Sequence, residues 1–197
     1  PRRRKYWIDI IKSSNYLEQE LIKNNYDKKS PLISIMLGYF GELKYLSSKE
    51  SVSNSLDETL KVLSKHLTNE IVVLKPHVIT DVNILKNILQ KYSNINFMIS
   101  NLHPMLLANQ SKFAIANYYS TTLSDFNSLG VKTIEYTDYC PEALSLTDSG
   151  SLRPDKIDYF INRDPIMLSD TIKYLLSASY KRQCDYNITD NKELFYA

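Results

Sequence analysis

FAIANYYSTTLSDFNSLGVKTIEY, residues 113–136, holds the pattern that decides the fold. Phe113, Ala114, Ile115 and Ala116 form a short apolar run, which reads as a buried strand. The hydroxyl-rich turn Ser120, Thr121, Thr122 follows. Residues 121–129 then show helical amphipathicity, ended by Gly130, and a second β-branched run begins at Val131. A strand, a helix of this length and a second strand make a right-handed crossover unit, whose two strands lie parallel in one sheet.

The same alternation extends upstream. Residues 32–37 (LISIML), 71–74 and 95–99 are short apolar runs of strand type. Between them lie amphipathic stretches at 51–67, with Leu56, Leu60, Leu63 and Leu67 on one face, and from the Thr80 or Asp81 cap to Tyr92. A short helix is expected around 105–109. The sum is five strands with helices between them, so the expected fold is a three-layer, Rossmann-like α/β domain with a mainly parallel sheet. Residues 6–25 read as one helix with an apolar stripe of Tyr6, Trp7, Ile10, Ile11, Leu17, Leu21 and Ile22. Residues 137–163 are polar and proline-punctuated, 166–180 read as a helix opened by Asp164-Pro165, and the last dozen residues look irregular. The division that follows is an N-terminal helix and linker (1–30), a nucleotide-binding core (31–140) and a C-terminal loop and helix packed on it (141–197).

Bulk composition narrows the function. The chain has 197 residues, 43% apolar and 23% charged, the proportions of an ordinary globular protein. A formal net charge of +2 does not point to nucleic acid. Arg2, Arg3, Arg4 and Lys5 concentrate positive charge at the start, where the readings are a solvated tail or a contact with an anionic membrane surface or nucleic acid. Cys140 and Cys184 have neither metal-ligand spacing nor a disulfide framework, which fits a reducing, cytoplasmic compartment. No apolar run approaches the roughly 20 residues that cross a bilayer, and the basic start is followed by Trp7, Asp9 and Lys12 rather than a signal-peptide core. Asn187, Ile188 and Thr189 form a sequon that a cytoplasmic setting would leave unused. A start at Pro1 rather than Met reads as a piece of a longer protein.

In open parallel sheets ligands bind beyond the carboxyl ends of the strands, so the residues just after each strand are the candidates. After the first come Gly38, Tyr39, Phe40 and Gly41, which are not a dinucleotide fingerprint. After the second come Lys75, Pro76 and His77, suited to phosphate contact or proton transfer. After the third come His103 and Pro104, where His103 could meet a base, a phosphate or an acceptor hydroxyl, or simply mark the start of a helix. After the fourth come Asn117 and the Ser120, Thr121, Thr122 turn. Helix-start amides and hydroxyls there could hold a phosphate, and a plain Ser N-cap gives the same pattern. Asp125, one turn on, could bond a ribose hydroxyl. Glu135, Tyr136, Thr137 and Asp138 follow the fifth strand. His66, His77 and His103 show no metal-binding spacing, and no nucleophile elbow occurs.

On these residues, IVVLKPH followed by FAIANYYSTTLSDFNSLGVKTIEY, the chain resembles the C-terminal, donor-binding half of GT-B glycosyltransferases. It is most similar to bacterial capsule and lipopolysaccharide enzymes, namely the Kdo- and sialyltransferase-like and teichoic-acid glycerophosphotransferase families. The likeness covers about a third of the chain. It implies transfer of a sugar from a nucleotide donor, with a cytidine nucleotide preferred and no metal required, to a glycan or lipid-linked acceptor at the inner membrane face. It implies catalytic roles for His77 and His103, and donor contacts from Lys75, His103, Pro104, Ser120, Thr121, Thr122 and Asp125. His77 is followed by Val78, where many relatives have proline, and the chain has room for only one GT-B half. The rival readings are a sugar-nucleotide epimerase, for which Glu135 and Asp138 are the placed carboxylates, and a non-catalytic α/β interaction domain.

Overall fold

The computed structural model describes residues 2–177. Cys184, residues 187–189 and the C-terminal part of the expected 166–180 helix lie outside the described residues, as do the side chains of Arg2, Arg3, Arg4 and Lys5. The element order is α1 (Arg2–Ser13), α2 (Tyr16–Lys23), β1 (Leu32–Met36), α3 (Ser51–His66), β2 (Ile71–Lys75), α4 (Val82–Leu89), β3 (Asn96–Ile99), α5 (Pro104–Ala108), β4 (Ser111–Ala116), α6 (Leu123–Asn127), β5 (Lys132–Thr137), α7 (Pro141–Leu146), a 3-10 turn (Pro154–Lys156), β6 (Tyr159–Asn162) and α8 (Pro165–Leu176). The protein is a three-layer α/β domain of Rossmann type.

All six strands are parallel, in the order β3-β2-β1-β4-β5-β6. The chain moves outward from β1 to β3, crosses to β4 and moves outward again to β6. The order therefore reverses between β1 and β4, and the crevice of a doubly wound sheet opens there, at the carboxyl ends of those strands. The direction of winding assigns the helices. One face carries Leu56, Leu60 and Leu63 of α3, Leu85 and Ile88 of α4, and Leu168, Ile172 and Leu175 of α8, packed on Ile33, Ile35, Val72, Leu74, Phe113, Ile115, Ile134 and Tyr136. The other face takes α5 and α6, which return the chain across β1 and β4.

Those two helices have five residues each and would leave β2 and β3 bare on that side. The N-terminal helices fill the gap. Ile8, Leu17 and Leu21 are buried with Ile71, Val73 and Met98, and the Tyr26 hydroxyl donates to the Phe97 carbonyl at 3.0 Å. The expected single helix over 6–25 is two, because Ser13, Ser14 and Asn15 interrupt it. Such side chains compete for the backbone, and the Ser13 hydroxyl donates to the Asp9 carbonyl at 2.7 Å.

Local signals set several ends. Asp81 caps α4 by accepting from the Asn83 and Ile84 amides at 2.8 and 3.4 Å, and Asp164 caps α8 in the same way at 3.0 and 2.9 Å. Gly130 closes the α6 segment with φ 71°, a backbone angle where a β-carbon is strained. An Asp81→Ala variant is expected to lose about 1 kcal/mol of stability, read as a shift in urea midpoint. The 137–163 region holds two elements beyond the expected five-strand set, α7 and the edge strand β6. β6 pairs Tyr159, Phe160, Ile161 and Asn162 with the residues from Ile134 to Thr137.

Candidate functional site

The carboxyl ends of β1 to β5 carry the residues singled out above, and each end is organised by a different local device. At β2, the Lys75 ammonium turns toward β3 and donates to the Asn101 carbonyl at 3.3 Å. Burial pushes its pKa down, and the carboxylate of Glu20 on α2 partly restores it. Glu20 also accepts from the Ser100 hydroxyl at 2.8 Å. Lys75 is therefore half-buried beneath α2, already facing an anion of its own chain.

Pro76 turns the chain and leaves His77 exposed. Its Nδ1 accepts from the Ile79 amide at 3.4 Å, which leaves Nε2 on the outer side of the neutral ring. The turn is tied to β1 by the Thr80 hydroxyl, which donates to the Gly38 carbonyl at 3.3 Å. At β3, His103 caps α5: Nδ1 accepts from the Met105 amide at 3.2 Å, and Pro104 occupies the first helical position, buried. The proton of the neutral His103 ring is again placed on Nε2. The imidazole is stacked on the indole of Trp7, with centroids 3.7 Å apart and planes 17° apart. Thus α1 supplies a wall to His103 as α2 supplies an anion to Lys75. Neither contact follows from sequence spacing, since the partners lie far apart in the chain.

At β4 the expected helix over 121–129 shortens to α6, Leu123–Asn127, and the 120–122 turn precedes it. The amides of Leu123, Ser124 and Asp125 bond back to the carbonyls of Ser120, Thr121 and Thr122 at 3.1–3.2 Å. Thr122, not Ser120, is the N-cap residue, and its side chain makes no capping bond. The Ser120 and Thr122 hydroxyls instead bond each other at 2.7 Å. In such a pair one hydroxyl donates inward and the other keeps its O–H for a further acceptor. Ser120 is therefore not the plain helix cap that the sequence allows as an alternative. Asp125 is half-exposed in the first turn of α6. The helices α5 and α6 lie side by side, the Ser128 hydroxyl reaching the Met105 sulfur at 3.6 Å. His103 and the 120–122 turn thus open neighbouring helices on one face of the sheet. His77 leads toward α4 on the other face.

Asn117 turns away from this edge. It is buried, and its amide donates to the Thr59 hydroxyl at 3.0 Å and the Tyr136 carbonyl at 3.4 Å. Of the two carboxylates expected past the fifth strand, Asp138 follows β5 and Glu135 lies inside it. Asp138 accepts from the Ser47 and Ser51 hydroxyls at 2.8 Å each and faces the Arg163 guanidinium at 3.3 Å, so it fastens the β1–α3 connection. Glu135 is fully buried. Neither has the open face that proton abstraction over a sugar ring demands. Gly41 lies beneath the Tyr39 ring, where a β-carbon would come within 2.3 Å of a ring carbon. That glycine serves the turn's own packing.

Other polar features are structural. His66 bonds the Ser169 hydroxyl at 2.8 Å and joins α3 to α8. A groove of about 380 Å³ runs between those two helices, and none of the candidate residues lines it. Among the described residues no group of three or more His, Cys, Asp or Glu side chains could hold a metal ion, and no helix is long and apolar enough to cross a membrane.

No protein-family model matches this chain, and no curated protein is significantly similar to it. The likeness to GT-B donor domains accordingly stands on the quoted motifs, and the fold and edge geometry are what can be set beside it.

Proposed function

We propose that this domain binds a nucleotide sugar and serves as the donor half of a GT-B glycosyltransferase in bacterial surface-polysaccharide assembly. The observation that carries the reading is the Ser120–Thr122 hydroxyl pair just past β4, the strand that borders the switch point. The pair stands at the start of α6, and His103 caps the neighbouring α5 on the same face of the sheet. A hydroxyl that keeps its O–H for a further acceptor is suited to the oxygens of a donor phosphate. Catalysis would rest on positioning and on stabilising the leaving phosphate, which these donors provide without a metal. His77 is the second candidate for proton transfer, and Asp125 for the ribose. A cytidine nucleotide is the preferred base, from the resemblance. The glycan or lipid-linked acceptor would meet the donor in a cleft shared with a second GT-B half, and the basic start of the chain would lie against the inner membrane face.

Lys75 takes a smaller part in this reading than the sequence assigns it, because Glu20 and Asn101 already engage it. The epimerase alternative loses ground to the burial of Glu135 and the ties on Asp138. The decisive experiment is calorimetry and thermal shift against CMP, CDP, UDP, GDP and ADP, with a Ser120→Ala/Thr122→Val variant. One nucleotide is expected to stabilise the wild type. The variant is expected to bind it at least tenfold more weakly while melting within about 2 °C of wild type, since no capping bond is lost. Equal binding by the variant, or no binding of any nucleotide, would reject the site and leave the interaction-domain reading.

A further inference from the structure

Glu135 lies inside β5, between Ala116 of β4 and Phe160 of β6. Its neighbours Ile134 and Tyr136 enter the core with α3 and α8, so strand alternation sends Glu135 to the opposite face. Its relative exposure is 0%. One carboxyl oxygen, Oε2, accepts from the Ser151 hydroxyl at 2.8 Å, and that hydroxyl in turn accepts from the Arg153 amide at 2.9 Å. The other, Oε1, is buried, and so is the Tyr139 hydroxyl, which lies near the carboxyl group. Neither of those two atoms closes a hydrogen bond of regular geometry. No Lys, Arg or His forms an ion pair with Glu135 among the described residues.

A carboxyl group in such a place takes up a proton rather than carry an uncompensated charge. Burial pushes its pKa up, and its contacts with Tyr139 and Ser151 only partly oppose this. The groups that face the cluster are hydroxyls from every connection packed on it: Tyr139 after β5, Ser151 after α7, Tyr118 and Tyr119 after β4, and Tyr45 after β1. Burial raises the Tyr118 and Tyr139 phenols as well.

The segments these hydroxyls belong to overhang the carboxyl edge of the sheet and are joined there. Leu46 bridges to Tyr139, the Cys140 amide donates to the Tyr45 carbonyl at 3.0 Å, and the Ser47 amide donates to the Asp138 carbonyl at 3.0 Å. The Tyr139 hydroxyl also lies against the backbone of Tyr119, the residue before Ser120. A buried acid therefore sits beneath the point where three connections meet.

We propose that Glu135 is a proton-operated latch whose neutral form fastens the β1–α3, β4–α6 and β5–β6 connections over the carboxyl edge of the sheet, and that its ionisation releases them. The latch needs no ligand. Its consequence for a phosphate held at the 120–122 turn rests on the nucleotide reading above, and only that part would fall with it. A carboxyl whose pKa is higher folded than unfolded stabilises the fold fully below the ordinary carboxyl range. That contribution is lost as pH rises through the folded value.

Hydrogen exchange of the full chain and of Glu135→Gln, at pH values stepped from 4.5 to 8.5 with times scaled for intrinsic rates, tests this. Gln keeps the shape and hydrogen bonding of the neutral acid and cannot ionise. Wild-type peptides covering 45–47, 118–122 and 138–152 are expected to lose at least tenfold in protection as pH rises, while the variant keeps it. Loss of the same size in both proteins, or in neither, overturns the latch. Should the variant not fold, infrared difference spectra of wild type decide. A protonated-carboxyl band that persists above the ordinary carboxyl range and fades with rising pH together with loop protection supports the latch, and the lack of one refutes it.

Discussion

Phe126→Ala is expected to destabilise the domain by about 3–5 kcal/mol and to disorganise the 120–122 turn in the same step. α6 has five residues, too few to persist by its own hydrogen bonding. Its first amides bond three residues back, in tight turns rather than full helical rings. What holds it is the burial of Leu123 and Phe126, both with 0% relative exposure, against Ala114, Ala116, Leu129 and Val131. The small alanines of β4 lie in the same buried cluster as the Phe126 ring, so its removal opens a cavity in that layer. For a domain of this size the melting temperature is expected to fall by roughly 6–20 °C. Phe126→Leu, which keeps most of the volume, is expected to lose less than half as much. A loss below about 1.5 kcal/mol for the alanine variant would mean that α6 is held by something other than this ring. If the nucleotide reading is right, Phe126→Ala also loses binding well below its melting temperature, because the hydroxyl pair stands on the turn that α6 anchors.

That dependence explains which parts of the protein were legible in the sequence. The β-α alternation from Leu32 to Thr137 is written in short apolar runs separated by caps and breakers, and Asp81, Asp164 and Gly130 carry their meaning locally. The edge strand β6 was missed because Tyr159 and Phe160 are only half-buried and follow a proline turn, so neither a continuous apolar run nor a clean alternation marks them. The break between α1 and α2 was signalled by Ser13, Ser14 and Asn15, which helical periodicity alone overrides. The strand-end rule led to His103, Lys75 and the 120–122 turn. It could not show what touches them. The walls of His103 and Lys75 are Trp7 and Glu20, from helices whose docking is set by the bare side of β2 and β3. Asn117 illustrates the converse: one residue past β4, alternation turns it into the core with Thr59 instead of toward a ligand. Glu135 looked available as a strand-end carboxylate, and its burial depends on Ser151 and Tyr139, whose connections fold back over it.

At the opposite edge of the sheet, Lys112→Met is expected to destabilise the protein by about 2–3 kcal/mol near neutral pH, and by much less in acid. The register of β1 against β4 shifts between Leu32 and Ile33, which pair with Ser111 and Phe113, so Lys112 stands in the irregularity. Its ammonium reaches Glu70 just before β2, at 2.6 Å. Glu70, 5% exposed, also accepts from the Thr68 and Asn69 amides at 3.0 and 3.2 Å. Burial alone would raise this carboxyl's pKa. The Lys112 ammonium and the backbone amides outweigh it and hold the group down to about 2. A carboxyl whose pKa is lower folded than unfolded stabilises the fold above the ordinary carboxyl value. That stability is lost as pH falls from there toward the folded value. A drop from 4.5 to about 2 corresponds to a ceiling on the order of 3 kcal/mol. Removing Lys112 leaves the carboxylate buried beside two amides without its cation, so the loss is large where Glu70 is ionised and shrinks where it can take a proton. Urea unfolding of wild type and variant at pH 7 and pH 3 measures both values. Lys112→Met combined with Glu70→Gln is expected to recover part of the neutral-pH loss, because the uncompensated charge is gone while an acceptor for the amides remains. A Lys112→Met deficit of the same size at both pH values would show that the lysine acts through its alkyl packing in the strand irregularity and not through the charge it gives Glu70.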